Sequence, residues 1–143
     1  MNISHYNCSM FIFRHAEKNP DKTALIWEKD EPGTHEKVSY GQLQDMVSRI
    51  ANVFLSRGIK RGDVVAIYLP ICPLAVATML ACARIGVIHS VIFAGFSSNA
   101  IATRVQDANA VAIVTANEGK QLCVYDKVHN TKVSILGLDS KKS

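Results

Sequence analysis

The sequence predicts an α/β fold: a βαβαβ parallel sheet unit with a preceding helix and a β-pair. Three observations carry that reading. Residues 64–69, 87–93 and 111–115 are runs of strand-forming side chains. Two helical segments separate them: 73–85, and one that begins at Ser97 or Ser98 and reaches Ala108. The strands are apolar almost throughout instead of alternating, the pattern of parallel strands covered on both faces by crossover helices.

Each element has a local reason. Residues 8–19 carry Met10, Phe11, Phe13 and Ala16 at mixed spacing and read as a short helix. Asn19-Pro20-Asp21 stops it, because the residue before a proline disfavours the helical region. Thr23 to Glu28 and His35 to Ser39 are short strands separated by Lys29-Asp30-Glu31-Pro32-Gly33. Proline presets one turn dihedral there and glycine accepts the positive one. The clearest helix follows, with Ser39 as its cap and Gln42 completing a capping box. Leu43, Met46, Val47, Ile50, Ala51 and Phe54 form one apolar stripe at helical spacing, and Gly58 stands where a left-handed terminal residue is wanted. Gly86 closes the next helix in the same way. Beyond Glu118 the pattern fades to one strand, 132–136, and a polar end.

Composition argues against several classes of function. A chain of 143 residues suits one domain and buries about two thirds of its unfolded surface. With 48% hydrophobic and 20% charged residues it reads as globular. The net charge of +4 is mild, and no basic stripe with interleaved aromatics appears, so no nucleic-acid partner is expected. The four cysteines, Cys8, Cys72, Cys82 and Cys123, form no CxxC pair and are expected to be reduced and structural, as in a reducing compartment. Residues 1–19 lack a basic region followed by an apolar core, so no secretory signal is expected. Pro70, Pro73, Arg84, Gly86 and His89 interrupt the most apolar stretch, so no membrane partner is expected either.

Recognisable catalytic machinery is sparse in the sequence. There is no G-x-x-x-x-G-K-[ST] loop, no G-x-G-x-x-G spacing, and no Ser/His/Asp, Cys/His or metal-ligand constellation. The one tight turn at a strand end is Phe93-Ala94-Gly95-Phe96-Ser97-Ser98. It lies at the carboxyl end of an expected parallel strand and leads into a helix, where α/β sheets bind ligands. The same residues also make a plain βα turn, with Ser97 as a cap. His89 reads as a core histidine or an acid–base group, and Asp63 as a turn residue or a ligand. Tyr68 reads as a packing residue with its hydroxyl at the sheet edge, and Arg84 as a structural partner for a carboxylate or the last helix carbonyls.

Longer stretches are more specific. Ala24-Leu25-Ile26-Trp27-Glu28 with Asp30-Glu31-Pro32-Gly33, then Val38-Ser39-Tyr40-Gly41-Gln42-Leu43, resemble blocks of the acetyl-CoA synthetases. These are the AMP-forming acetate–CoA ligases of the adenylate-forming superfamily. Gly62-Asp63-Val64-Val65-Ala66-Ile67-Tyr68-Leu69-Pro70 is similar to the next block. Met79-Leu80-Ala81-Cys82-Ala83-Arg84-Ile85-Gly86 then runs through His89-Ser90 into Phe93-Ala94-Gly95-Phe96-Ser97. The resemblance covers residues 2–119, and its tryptophan and Phe-Ala-Gly-Phe-Ser stretches favour acetate over propionate enzymes.

The resemblance implies the N-terminal part of the large adenylate-forming ligase domain. It divides the chain into an N-terminal family segment, 1–19, the start of the AMP-binding ligase domain, 20–119, and a divergent tail, 120–143. It implies synthesis of acetyl-CoA from acetate, ATP and coenzyme A through acetyl-adenylate, with magnesium offsetting phosphate charge. It places the coenzyme A nucleotide near Phe93, Ala94 and Gly95. A basic Arg-Gly-Gly-Lys/Arg-like run that the family uses nearby is replaced here by Lys120-Gln121-Leu122-Cys123. The family's phosphate loop and its catalytic lysine match nothing in these residues, so no catalytic residue or metal ligand is assigned and the chain is expected to be inactive alone. The rival expectation is a non-catalytic regulatory or interaction module derived from such an enzyme. The cytoplasm is the expected compartment, with the mitochondrion as the alternative, and oligomeric state is not read.

Overall fold

The computed structural model describes residues 8–116, 122–126 and 131–135. The order is α1 (Cys8–Lys18), β1 (Thr23–Glu28), β2 (His35–Ser39), α2 (Tyr40–Ser56), β3 (Val64–Tyr68), α3 (Pro73–Ile85) and β4 (Ile88–Val91). After these come α4 (Ser98–Asp107), β5 (Ala112–Ala116), β6 (Leu122–Asp126) and β7 (Thr131–Ile135).

β1 and β2 form an antiparallel hairpin. Its turn is the expected one: Thr34 donates its backbone N–H to the Glu31 carbonyl at 3.1 Å, and Gly33 has φ +77. Lys29 and Glu36 add an ion pair at 3.2 Å across the strands. α2 starts with the full capping box, in which Ser39 and Gln42 satisfy each other's backbone donors. It ends where Gly58 takes φ +77 and Ile59 returns its N–H to the Phe54 carbonyl.

The main sheet has the order β4-β3-β5-β6-β7. β3 pairs in parallel with both β4 and β5, whereas β5–β6 and β6–β7 are antiparallel. The two crossover helices cover opposite faces. On one face Val65 and Ile67 of β3 and Val114 of β5 pack with α2 and α3, where Leu43, Ile50 and Phe54 are fully buried. Burying side chains of this size contributes about 1.5–3 kcal/mol each. On the other face Ala66, Ile92 and Ala110 form a smaller core with Ile101 and Val105 of α4. The arrangement is a doubly wound α/β unit.

Three expectations change. First, the strand expected over 87–93 is only Ile88–Val91. Val87 gives its N–H to the Cys82 carbonyl and Gly86 its N–H to that of Ala83, so the helix end consumes a donor the ladder would need. Second, β4 is an edge strand and is not covered on both faces: Ile88 and Val91 are more than half exposed. His89 is exposed on it and is therefore neither a core histidine nor a buried acid–base group. Third, β6 is a strand beyond the one expected in this region, although Val124 and Tyr125 are strand formers; β7 matches the expected strand over 132–136 shifted by one residue.

Arg84 also differs from expectation. Among the described residues its partners are neither a carboxylate nor a helix carbonyl: it donates to Ser48 Oγ at 2.8 Å and lies over the Phe13 ring at 4.1 Å. That contact ties α1, α2 and α3 together. Cys72 and Cys82 are free, and the side chains of Cys8 and Cys123 lie outside the described set.

Candidate functional site

Topology singles out one place. β3 and β4 are parallel neighbours, yet the chain leaves β3 toward α3 on one face and β4 toward α4 on the other. Diverging connections open a crevice outside the carboxyl ends of the strands, the ordinary ligand position in such sheets. The two loops that bound it are 69–72 and 92–97.

The second loop contains Phe93, Ala94 and Gly95, and short contacts hold it. Phe96 donates its N–H to the Phe93 carbonyl at 3.1 Å, closing the turn. Tyr68, at the end of β3, donates its hydroxyl to the Ala94 carbonyl at 2.8 Å. The Tyr68 hydroxyl thus sits at the carboxyl end of a central strand, where it fastens one bank of the crevice to the other. Ser97 caps α4 by accepting from the Ala100 N–H at 3.4 Å, which decides between the two serines considered as caps.

The loop's side chains face outward. Phe93 is 68% exposed and Phe96 38%. Their rings meet edge to face with centroids 5.9 Å apart. A side chain at Gly95 would bring its Cβ to 2.8 Å from Phe93 Cε1, so glycine lets that ring lie over the loop backbone. Across the crevice Ile71 is 87% exposed.

One contributor was not singled out from the sequence. The Arg104 guanidinium lies 4.2 Å from the Phe96 ring and donates to the Ala100 carbonyl at 3.1 Å. The signal was present, because Arg104 is four residues after Ala100, one turn along the same helix face.

Other candidates resolve as structural. Asp63 accepts the Lys60 N–H at 2.8 Å and returns its own to the Lys60 carbonyl at 3.0 Å, which makes it a turn residue. Among the described residues no group of three or more His, Cys, Asp or Glu could hold a metal ion. No described helix is long and apolar enough to cross a membrane.

Comparison with known proteins agrees with this architecture. The AMP-binding enzyme family matches residues 12–142. An acetyl-coenzyme A synthetase of Penicillium chrysogenum is 53% identical over 116 residues, covering 81% of this chain and 17% of the relative. The mitochondrial acetyl-coenzyme A synthetase 2-like protein of Homo sapiens is 50% identical over 119 residues, covering 83% and 17%. The chain therefore spans about a sixth of the length of these curated relatives. Among solved structures, the Klebsiella oxytoca NpsA N-terminal subdomain, in complex with 3-hydroxyanthranilyl-AMSN, superposes with a TM-score of 0.67. It is 22% identical, with 78% of this chain and 27% of that one covered, and it supports the fold. The chain belongs to the AMP-binding enzyme family and, within it, is similar to the acetyl-coenzyme A synthetases.

Proposed function

We propose that this chain supplies the coenzyme A-facing part of an acetate–CoA ligase, which joins acetate to coenzyme A at the expense of ATP. The observation that carries the proposal is the loop at Phe93, Ala94 and Gly95, placed where the connections of β3 and β4 diverge. The loop's chemistry suits an adenine nucleotide. An exposed aromatic ring offers a stacking surface for a base, and Gly95 leaves the backbone open to close approach.

In the complete reaction, acetate attacks ATP to give acetyl-adenylate and pyrophosphate. The coenzyme A thiol then displaces AMP and forms acetyl-CoA. When bound, magnesium would offset the phosphate charge of the first step, and no described group of three or more His, Cys, Asp or Glu would hold it here. The residues described here take part by binding and orienting: Phe93 supports the base, Tyr68 fixes the loop through the Ala94 carbonyl, and Ser97 anchors the loop's far end on α4. By itself the chain performs neither half-reaction. Its compartment is a reducing one, cytosol or mitochondrion.

Calorimetric titration of the purified chain with coenzyme A tests the binding role. Saturable binding that Phe93→Ala abolishes is the expected result, and no heat at millimolar ligand would refute it. ATP–pyrophosphate exchange with acetate tests the second claim, and robust exchange by this chain alone would refute that.

A further inference from the structure

We propose that Arg104 is the anion-recognising residue of this site, contacting a phosphate of the nucleotide whose base stacks on Phe93. The inference rests on the coenzyme A reading of the loop. Arg104, Phe96, Phe93 and Gly95 form a continuous ladder. The guanidinium is 4.2 Å from the Phe96 ring, the two rings are 5.9 Å apart, and the Phe93 ring lies against Gly95. A guanidinium that stacks by its face keeps the edges of its plane for hydrogen bonding, and those edges match a phosphate bidentately. Of its five N–H donors, the described protein contacts employ one, toward the Ala100 carbonyl. That bond and the stack hold the long side chain back toward the loop, so little rotamer freedom remains to be lost on binding.

Charge supports the same assignment. Arg104 is the only Lys or Arg between residues 85 and 119. Of the cations just before that stretch, Arg84 is engaged with Ser48 and Phe13, and the Arg61 stem packs over Gly86. Among the described residues, the aromatic pair Phe93–Phe96 has one cation built against it, Arg104 over Phe96. An aromatic surface beside a single oriented guanidinium fits a nucleoside phosphate better than an uncharged nucleoside or an acyl chain.

The test is calorimetric titration of the full chain with coenzyme A and with adenosine, for the wild type, Arg104→Met, Arg104→Lys and Phe93→Ala. Arg104→Met should weaken coenzyme A binding about tenfold, as expected for loss of a charge-assisted hydrogen bond, and leave adenosine binding unchanged. Arg104→Lys should recover part of the coenzyme A affinity. If Arg104→Met binds coenzyme A as the wild type does while Phe93→Ala loses both ligands, the inference fails and the loop reading stands. Equal loss of both ligands in Arg104→Met would also overturn it, since the residue would then only support Phe96. Absence of binding by the wild type would overturn the loop reading and the inference together.

Discussion

Tyr68 and Ala94 are joined by a 2.8 Å hydrogen bond that links the carboxyl end of β3 to the loop after β4. The bond spans 26 positions in sequence and is the described side-chain contact that holds the two banks of the crevice together. Tyr68→Phe keeps the ring against the α4-side core and removes only the donor. The Ala94 carbonyl is exposed, so water replaces the lost partner, and the cost should sit near the low end of about 0.5–1.5 kcal/mol. Urea unfolding measures that cost. Amide shifts confined to residues 93–97 would show that the loop has been released, and an unchanged loop spectrum would contradict the role assigned to the bond.

Gly95→Ala should separate binding from stability. The added Cβ would stand 2.8 Å from Phe93 Cε1, but that atom belongs to an exposed ring that can swing aside. The melting temperature should therefore move little while coenzyme A affinity drops. A large loss of stability would mean that the loop backbone, and not the ring, yields.

Gly86→Ala should behave in the opposite way. Gly86 holds φ +74 at the end of α3, and a Cβ there would meet Arg61 Cγ at 2.9 Å. The left-handed conformation alone costs a non-glycine residue roughly 1–2 kcal/mol. Denaturant titration should show at least that loss, with the Arg61 contact adding to it.

Cys82 makes stability sensitive to alkali. Burial pushes its thiol up from 9.0 to about 12, with a backbone hydrogen bond opposing the shift. Between those values the unfolded chain releases a proton that the folded chain keeps. The unfolded state then binds fewer protons, so the contribution is complete below about pH 9 and declines as pH rises toward 12. Removing the thiol in Cys82→Ala should flatten the decline by up to about one proton per molecule. Unfolding free energies of the two proteins followed into this range check the sign, and parallel curves would rule the mechanism out.

Ser39→Ala removes one half of the capping box at the start of α2. The expected cost is about 1 kcal/mol. Ser39→Asp should restore most of it, which equilibrium unfolding of the three proteins would show.

Local rules accounted for much of the fold. The Pro32-Gly33 turn, the Ser39–Gln42 box, Gly58 and Gly86 all act through neighbours a few positions away, and each was legible for that reason. The βαβαβ order was legible too, because hydrophobic period distinguishes strand from helix. Legibility ended where tertiary context decides. The apolar run 87–93 does not reveal that β4 lies at the sheet's edge, so His89 was placed inside and is outside. The partner of Arg84 is a serine 36 positions earlier, a relation no local pattern carries. At the candidate site the Phe93–Gly95 turn was visible as a strand-to-helix junction, whereas Arg104 joined it only once α4 was in place.

The end of α3 also sets a phase. Because Gly86 and Val87 are spent on closing that helix, β4 begins at Ile88, opposite Val64, and side chains alternate from there. Counting forward, Ile92 falls beneath α4 at 1% exposure and Phe93 falls outside. One residue inserted between Gly86 and Ile88 would exchange them, sending the phenyl ring inward and the isoleucine into solvent. The position of the stacking ring is thus written eleven residues upstream of Ser97, the cap of Arg104's own helix, in a glycine at the end of α3.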